Sequence, residues 1–187
     1  MAIRGFKTWC ESIAVEIRRK LRLKPVDPLL TDQLAAHLGV TLTTPKDIPG
    51  LSLEAINTLL GSEKDCWSAL TISSNTIDLV IYNPAHSIGR QSNDIMHELA
   101  HILLGHDPGK VMIFPSGQAL RTYNQEQEEE ATLLGGCLLL PRTVLIYIKK
   151  SNLDQTTACQ RYRVTSTLLT YRLNISGVNL QFRRYRS

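Results

Sequence analysis

From Phe6 to Leu23 the apolar residues Phe6, Trp9, Cys10, Ile13, Ile17 and Leu21 recur at three- and four-residue steps, with Arg and Lys on the other face. That period predicts an amphipathic helix, which Pro25 and Pro28 stop. Thr31 offers an N-cap for a short helix carrying Leu34, Ala35 and Leu38, closed by Gly39. Val40 and Leu42 predict a brief strand. Ser52 followed by Glu54, Ile56, Leu59 and Leu60 predicts a further helix ended by Gly61. Trp67 to Ser73 and Ile77 to Tyr82 are β-rich runs separated by Ser-Asn-Thr, the composition of a hairpin.

After Asn83-Pro84, the residues Ser92, Asn93 and Asp94 are candidate caps for a helix running to about Gly105, with Ile95, Leu99, Ile102 and Leu103 in helical phase. A loop containing Pro115 and Gly117 leads to a strong helix from about Asn124 to Leu139, stopped by Pro141. Thr143 to about Arg172 reads as helical in two or three pieces. There is no internal repeat and no low-complexity linker, so one compact α+β domain is expected rather than two. Its core would span 1–141, with a helical segment at 142–187 packed on it.

Composition changes this picture little: 187 residues at 43% hydrophobic and 20% charged exclude a disordered chain. No charge-free run approaches the roughly 20 residues of a membrane span. Glu11, Glu16, Arg18, Arg19 and Lys20 interrupt any apolar signal region, so a cytoplasmic protein with no membrane role is expected. Cys10, Cys66, Cys137 and Cys159 form no C-x-x-C pair and are read as free thiols.

Charge is more informative, because the modest net +4 hides a division. Residues 1–24 hold seven basic and two acidic side chains, residues 161–187 hold six basic and none acidic, and the middle is acidic. Such basic ends can contact nucleic acid, but packing of basic helices on an acidic body is the favoured reading over DNA contact.

The chemistry lies in His97-Glu98-Leu99-Ala100-His101, the H-E-x-x-H pattern. On a helix, positions four apart share a face, so both imidazoles can reach one Zn2+ ion. Glu98 would stand beside them as general base, taking a proton from a water that the metal activates. Random placement would produce this pattern only about 0.006 times in a chain with five His. A catalytic zinc normally has three protein ligands and an open fourth position. Extending the stripe Ala131, Leu134, Gly135, Leu138 backwards reaches Gln127 and Glu128, which makes Glu128 the candidate third ligand, with Glu129 or Glu130 as alternatives. Glu126 and its neighbours would also suit the positive end of the helix dipole. His106, Tyr123, Tyr82 and Arg90 are candidate oxyanion donors; His106, with Gly105 breaking the helix before it, is read more readily as supporting the ligands than as one. His37 and His86 are read as surface or packing residues.

The segments HELAHILLGH, from His97 to His106, and EEEATLLGGCLLLP, from Glu128 to Pro141, resemble the ImmA/IrrE family of zinc-dependent metallo-endopeptidases. The second resembles the family's Glu-x-x-Ala helix ending in Leu-Leu-x-Pro, and the resemblance implies that Glu128, three residues before Ala131, is a metal ligand. LAAHLGV at Leu34 to Val40 and Arg90, seven residues ahead of His97, extend the likeness. Asn93 and Met96 stand where Phe and Ala are common, and Thr132 and Leu134 where Asn or Asp and Phe are common. ACQRYRVTSTLLTYRLNISGV, from Ala158 to Val178, resembles the helix-turn-helix-like stretch late in the family. The resemblance implies a zincin-like fold with a small, mostly antiparallel sheet packed on the metal-bearing helices. It also implies an endopeptidase acting on a protein substrate, a helix-turn-helix transcriptional repressor of a prophage or mobile element. A regulatory protein- or DNA-binding module on the same scaffold is the alternative class, and a closed structural zinc domain a third.

Overall fold

A computed structural model describes residues 5–73, 78–106, 111–113, 119–121 and 124–184. The first helix, α1 (Phe6–Lys20), is followed by α2 (Thr31–Leu38), the strand β1 (Thr41–Thr43), a short 3-10 turn at Pro45–Asp47 and α3 (Leu53–Leu60). Strands β2 (Ala69–Ser73) and β3 (Asp78–Tyr82) lead into the long helix α4 (Ile88–Leu104). Two short strands, β4 (Val111–Ile113) and β5 (Ala119–Arg121), precede α5 (Gln125–Leu139). The chain ends in α6 (Arg142–Lys150), α7 (Gln155–Tyr162), α8 (Ser166–Ile175) and α9 (Val178–Arg184). The α+β class is as expected. Among the described residues no single helix is long and apolar enough to cross a membrane.

The main sheet has the order β1-β3-β2, with β2 antiparallel to β3 and β1 parallel to it, so it is mixed. The pairing Thr71↔Val80 and Leu70↔Ile81 fixes the register of β2 on β3, and α4 packs against both strands. The connecting turn, Ser74 to Thr76, lies outside the described residues, as does the loop with Pro115 and Gly117. Its flanks form the antiparallel pair β4-β5, which is too short to register as a pattern in sequence.

Two helix starts differ from expectation. Helix α2 begins at Thr31 with Leu30 as the cap residue, and the Leu30 N–H donates to the Gln33 side chain at 3.4 Å. Helix α4 begins five to seven residues before the expected caps: Ser87 is the N-cap, its hydroxyl accepting from the Arg90 N–H at 3.4 Å. Ser92, Asn93 and Asp94 are good caps in isolation, but here they lie inside the helix. The amide of Asn93 is committed elsewhere, donating to the Thr165 hydroxyl at 2.7 Å. Ile88, the apolar residue of the first turn, is 65% exposed and does not continue the buried stripe of α4.

The core forms where α4 crosses α5 and α1 packs on the other side of α5. Leu99, Leu134, Leu138, Cys10, Cys137 and Met96 are all fully buried there. Each buried leucine contributes about 1.5–3 kcal/mol relative to exposure. Gly135 permits the close crossing of α4 and α5: a Cβ at this position would lie 3.2 Å from the Met96 carbonyl oxygen and 3.4 Å from the His97 Cα. The four cysteines are free, with Cys10 and Cys137 buried.

The basic ends do not present all their charge to solvent. Arg18 and Arg172 are 2% and 0% exposed and meet at the C-terminus of α5. Arg18 Nη2 donates to the Leu139 carbonyl at 3.3 Å, and Arg172 Nε donates to the Leu140 carbonyl at 3.1 Å. These carbonyls end the helix and have no intrahelical donor, so two cations satisfy them and oppose the negative end of its dipole. Burial lowers the Arg18 guanidinium to about 10, which leaves it charged at neutral pH. The exposed side of α8, Ser166, Thr167, Thr170, Tyr171 and Asn174, carries no Lys or Arg. The outermost part of the basic tail, residues 185–187, lies outside the described residues.

Candidate metal centre

Helix α4 sets His97 and His101 one turn apart, and α5 brings Glu128 across from its first turn. Asn124 starts α5, its side-chain oxygen accepting from the Glu126 and Gln127 N–H groups at 3.1 and 3.4 Å. That cap fixes the phase of the helix, and with it the direction of Glu128. The Nε2 atoms of His97 and His101 are 3.1 Å apart. Glu128 Oε2 is 3.0 Å from His97 Nε2, and Glu128 Oε1 is 3.6 Å from His101 Nε2. These three residues form a group whose ligand atoms lie within 4.8 Å of one another. For a tetrahedral ion with bonds of roughly 2.05 Å, ligand atoms are separated by about 3.3 Å. The observed spacings bracket that value, and the donor set of two imidazoles and a carboxylate suits Zn2+.

Burial, reinforced by the neighbouring His97, holds His101 below the usual imidazole range against the opposing pull of Glu128 and Glu98. The neutral ring is the form that binds a metal. Glu98 is 7% exposed and turns toward the sheet, where its Oε2 accepts a hydrogen bond from the Thr71 hydroxyl on β2. A buried carboxylate beside the ligand face is thereby held by a strand 27 residues earlier in the chain.

The remaining candidates are separated by the fold. Gly105 adopts φ 64° and ends α4, the left-handed conformation that glycine reaches without a Cβ clash. The chain then doubles back, and His106 Nδ1 comes within 2.9 Å of His101 Nδ1, on the far side of that ring from the ligand nitrogen. Glu130 approaches His106 Nε2 at 3.2 Å, and Glu129 accepts from Gln125 at 2.9 Å, so neither alternative carboxylate joins the group. Arg90 is two turns back along α4, where it donates to the Ser68 hydroxyl at 3.1 Å and stands 3.7 Å from Asp94. It does not converge on the histidines. Tyr82 is paired with Ala69 in the sheet. Tyr123 lies outside the described residues. His86 is a packing residue, its Nε2 3.0 Å from the Lys64 carbonyl.

Sequence reasoning missed Thr71 and Thr132, the latter with its hydroxyl 3.5 Å from His97 Nδ1. Strand alternation puts Thr71 on one face of β2, but only the packing of α4 on that face identifies its partner.

The family model for the IrrE N-terminal-like domain, Peptidase_M78, matches residues 62–174 and so contains β2, α4 and α5 with all four site residues. No curated protein matches the chain. Among solved structures, a Mycobacterium tuberculosis transcriptional regulator is similar at 13% identity and a TM-score of 0.48. The alignment covers 91% of this chain and 46% of that one, so the chain spans about half of that structure's length. With more than half its length matched, and with the metal-ligand pattern inside the match, this chain belongs to the ImmA/IrrE family, whose domain is the M78 peptidase-like domain.

Proposed function

We propose that this protein is a zinc-dependent endopeptidase that hydrolyses a peptide bond in a protein substrate. The observation that carries the reading is the convergence of His97, His101 and Glu128 at tetrahedral spacing, with the Glu98 carboxylate held beside them. A Zn2+ ion held by His97, His101 and Glu128 would lower the pKa of a bound water toward about 7 and polarise the scissile carbonyl. The chain's residues do the rest. Glu98 accepts the proton of the attacking water and returns it to the leaving amine. Thr71 holds the Glu98 carboxylate on the sheet side of the ligand group and limits its rotation. Among the described residues His97, His101 and Glu128 would hold the ion, and a fourth position open to water and substrate would suit catalysis rather than a closed structural site.

The substrate inferred from family resemblance is a helix-turn-helix transcriptional repressor in the cytoplasm. The alternative of a DNA-binding module is disfavoured by the burial of Arg172 and the uncharged outer side of α8. We also infer that residues 142–187 complete the same domain as the core, since Arg172, Thr165 and Val164 all contact α4 or the end of α5.

The test is incubation of the zinc-loaded protein with repressors of this type, reading new chain termini by mass spectrometry, beside Glu98→Gln. A defined cut made by the wild type and lost in Glu98→Gln supports the proposal. A cut made equally by both refutes Glu98 as the base.

A further inference from the structure

His101 is the least exposed of the three proposed ligands: its side chain is 15% exposed against 27% for His97 and 31% for Glu128. It is also the one whose second nitrogen is engaged by another ring. His101 Nδ1 is 2.9 Å from His106 Nδ1, and His106 Nε2 is 3.2 Å from Glu130 Oε2. The His106 side chain is 8% exposed, so water does not readily replace either contact.

A neutral imidazole has one N–H and one lone pair, and an ionised carboxylate only accepts. Glu130 therefore requires the proton of His106 on Nε2. His106 Nδ1 is then an acceptor, so the proton between the two Nδ1 atoms belongs to His101. With Nδ1 protonated, His101 presents its lone pair on Nε2, which is the atom facing His97 Nε2 and Glu128. With His106 neutral, one arrangement of protons satisfies all these contacts. The Gly105 turn makes it possible, because a helix continued through residue 105 would carry His106 away from His101.

We propose that Glu130 and His106 are positioning residues, a carboxylate-to-imidazole relay that fixes the tautomer and ring orientation of His101 as a metal ligand. Among the described residues His97 has no equivalent: its Nδ1 meets the Thr132 hydroxyl at 3.5 Å. The relay links α5 to the turn after α4 on the side of His101 opposite the ligand group. Partners of this kind commonly change metal affinity by about 10- to 100-fold when removed. This inference rests on the metal-centre reading above.

The experiment measures zinc affinity of the full chain by competition with a chromophoric chelator. It is paired with 15N spectra of the histidine rings in the zinc-loaded protein. His106→Phe and Glu130→Ala should each weaken zinc binding by about 10- to 100-fold. Glu130→Gln should largely restore it, because the amide oxygen accepts the same N–H. The wild-type spectrum should show His101 protonated on Nδ1 and bound through Nε2, with that Nδ1 signal shifted or broadened in Glu130→Ala. Wild-type affinity and an unchanged His101 spectrum in both His106→Phe and Glu130→Ala would overturn the relay alone. A wild-type chain that takes up no zinc would overturn the metal-centre reading and the relay with it.

Discussion

Arg172 on α8 donates from Nη2 to Glu11 Oε1 on α1 at 2.5 Å, across 161 residues of sequence. The guanidinium is fully buried, and the other oxygen of Glu11 accepts the Arg142 N–H at 2.8 Å. Glu11 thus ties the first helix to the first and third helices of the C-terminal segment. Glu11→Ala should leave a buried charge without its counterion and cost about 3–5 kcal/mol in urea unfolding. A loss under about 1 kcal/mol would show that the pair does not hold these helices together.

Gly89 is where α4 meets the turn between α7 and α8. A Cβ there would lie 2.8 Å from the carbonyl carbon and oxygen of Val164, which are backbone atoms. Alanine favours a helix by about 1 kcal/mol over glycine, but overpacking against backbone costs about 1–3 kcal/mol. Gly89→Ala should therefore lower stability by up to about 2 kcal/mol in thermal or urea unfolding. A variant more stable than wild type would mean that the C-terminal segment yields freely at this contact.

Thr71→Val keeps the shape of the β2 side chain and removes the hydroxyl that holds Glu98. The expected result is unchanged zinc content and a fall in kcat approaching about 100-fold, the scale of a base displaced by about 1 Å. Undiminished kcat would show that Glu98 needs no support from the sheet.

Asp94 sets a pH dependence. Burial raises its carboxyl above the usual carboxylate range, against the pull of Arg90, His86 and Ser68. The unfolded chain loses this proton near pH 4, while the folded chain keeps it longer. The favourable contribution is complete below about pH 4 and is lost as pH rises through the folded-state value. Asp94→Asn cannot titrate, so its stability relative to wild type should increase as pH goes from about 4 to 7. A difference that stays constant over that range would contradict the assignment.

The H-E-x-x-H pair was legible in sequence because both histidines lie on one helix and their spacing is itself the geometry. Glu128 was legible through the periodicity of α5, whose buried stripe points back to it. The relay from Glu130 through His106 was not, because it depends on a left-handed turn at Gly105 folding one helix end toward another element. Thr71 was hidden for the same reason: its partner is 27 residues away and is chosen by sheet-helix packing. The helix start at Ser87 was obscured by three polar residues that resemble caps but lie within α4, Asn93 donating to Thr165 and Asp94 flanked by Arg90 and His86. Packing of the basic termini on the body was legible, but not its depth: Arg18 and Arg172 carry their charge into the core, where the carbonyls ending α5 require donors.

Zinc stoichiometry across a small set of variants tests the metal centre most directly. Elemental analysis after equilibrium dialysis should find one zinc per wild-type chain and one in Glu98→Gln, with substantial loss in His97→Ala, His101→Ala and Glu128→Ala. Stoichiometric zinc retained in Glu128→Ala, or no zinc in the wild type, would contradict the assignment of His97, His101 and Glu128 as its ligands.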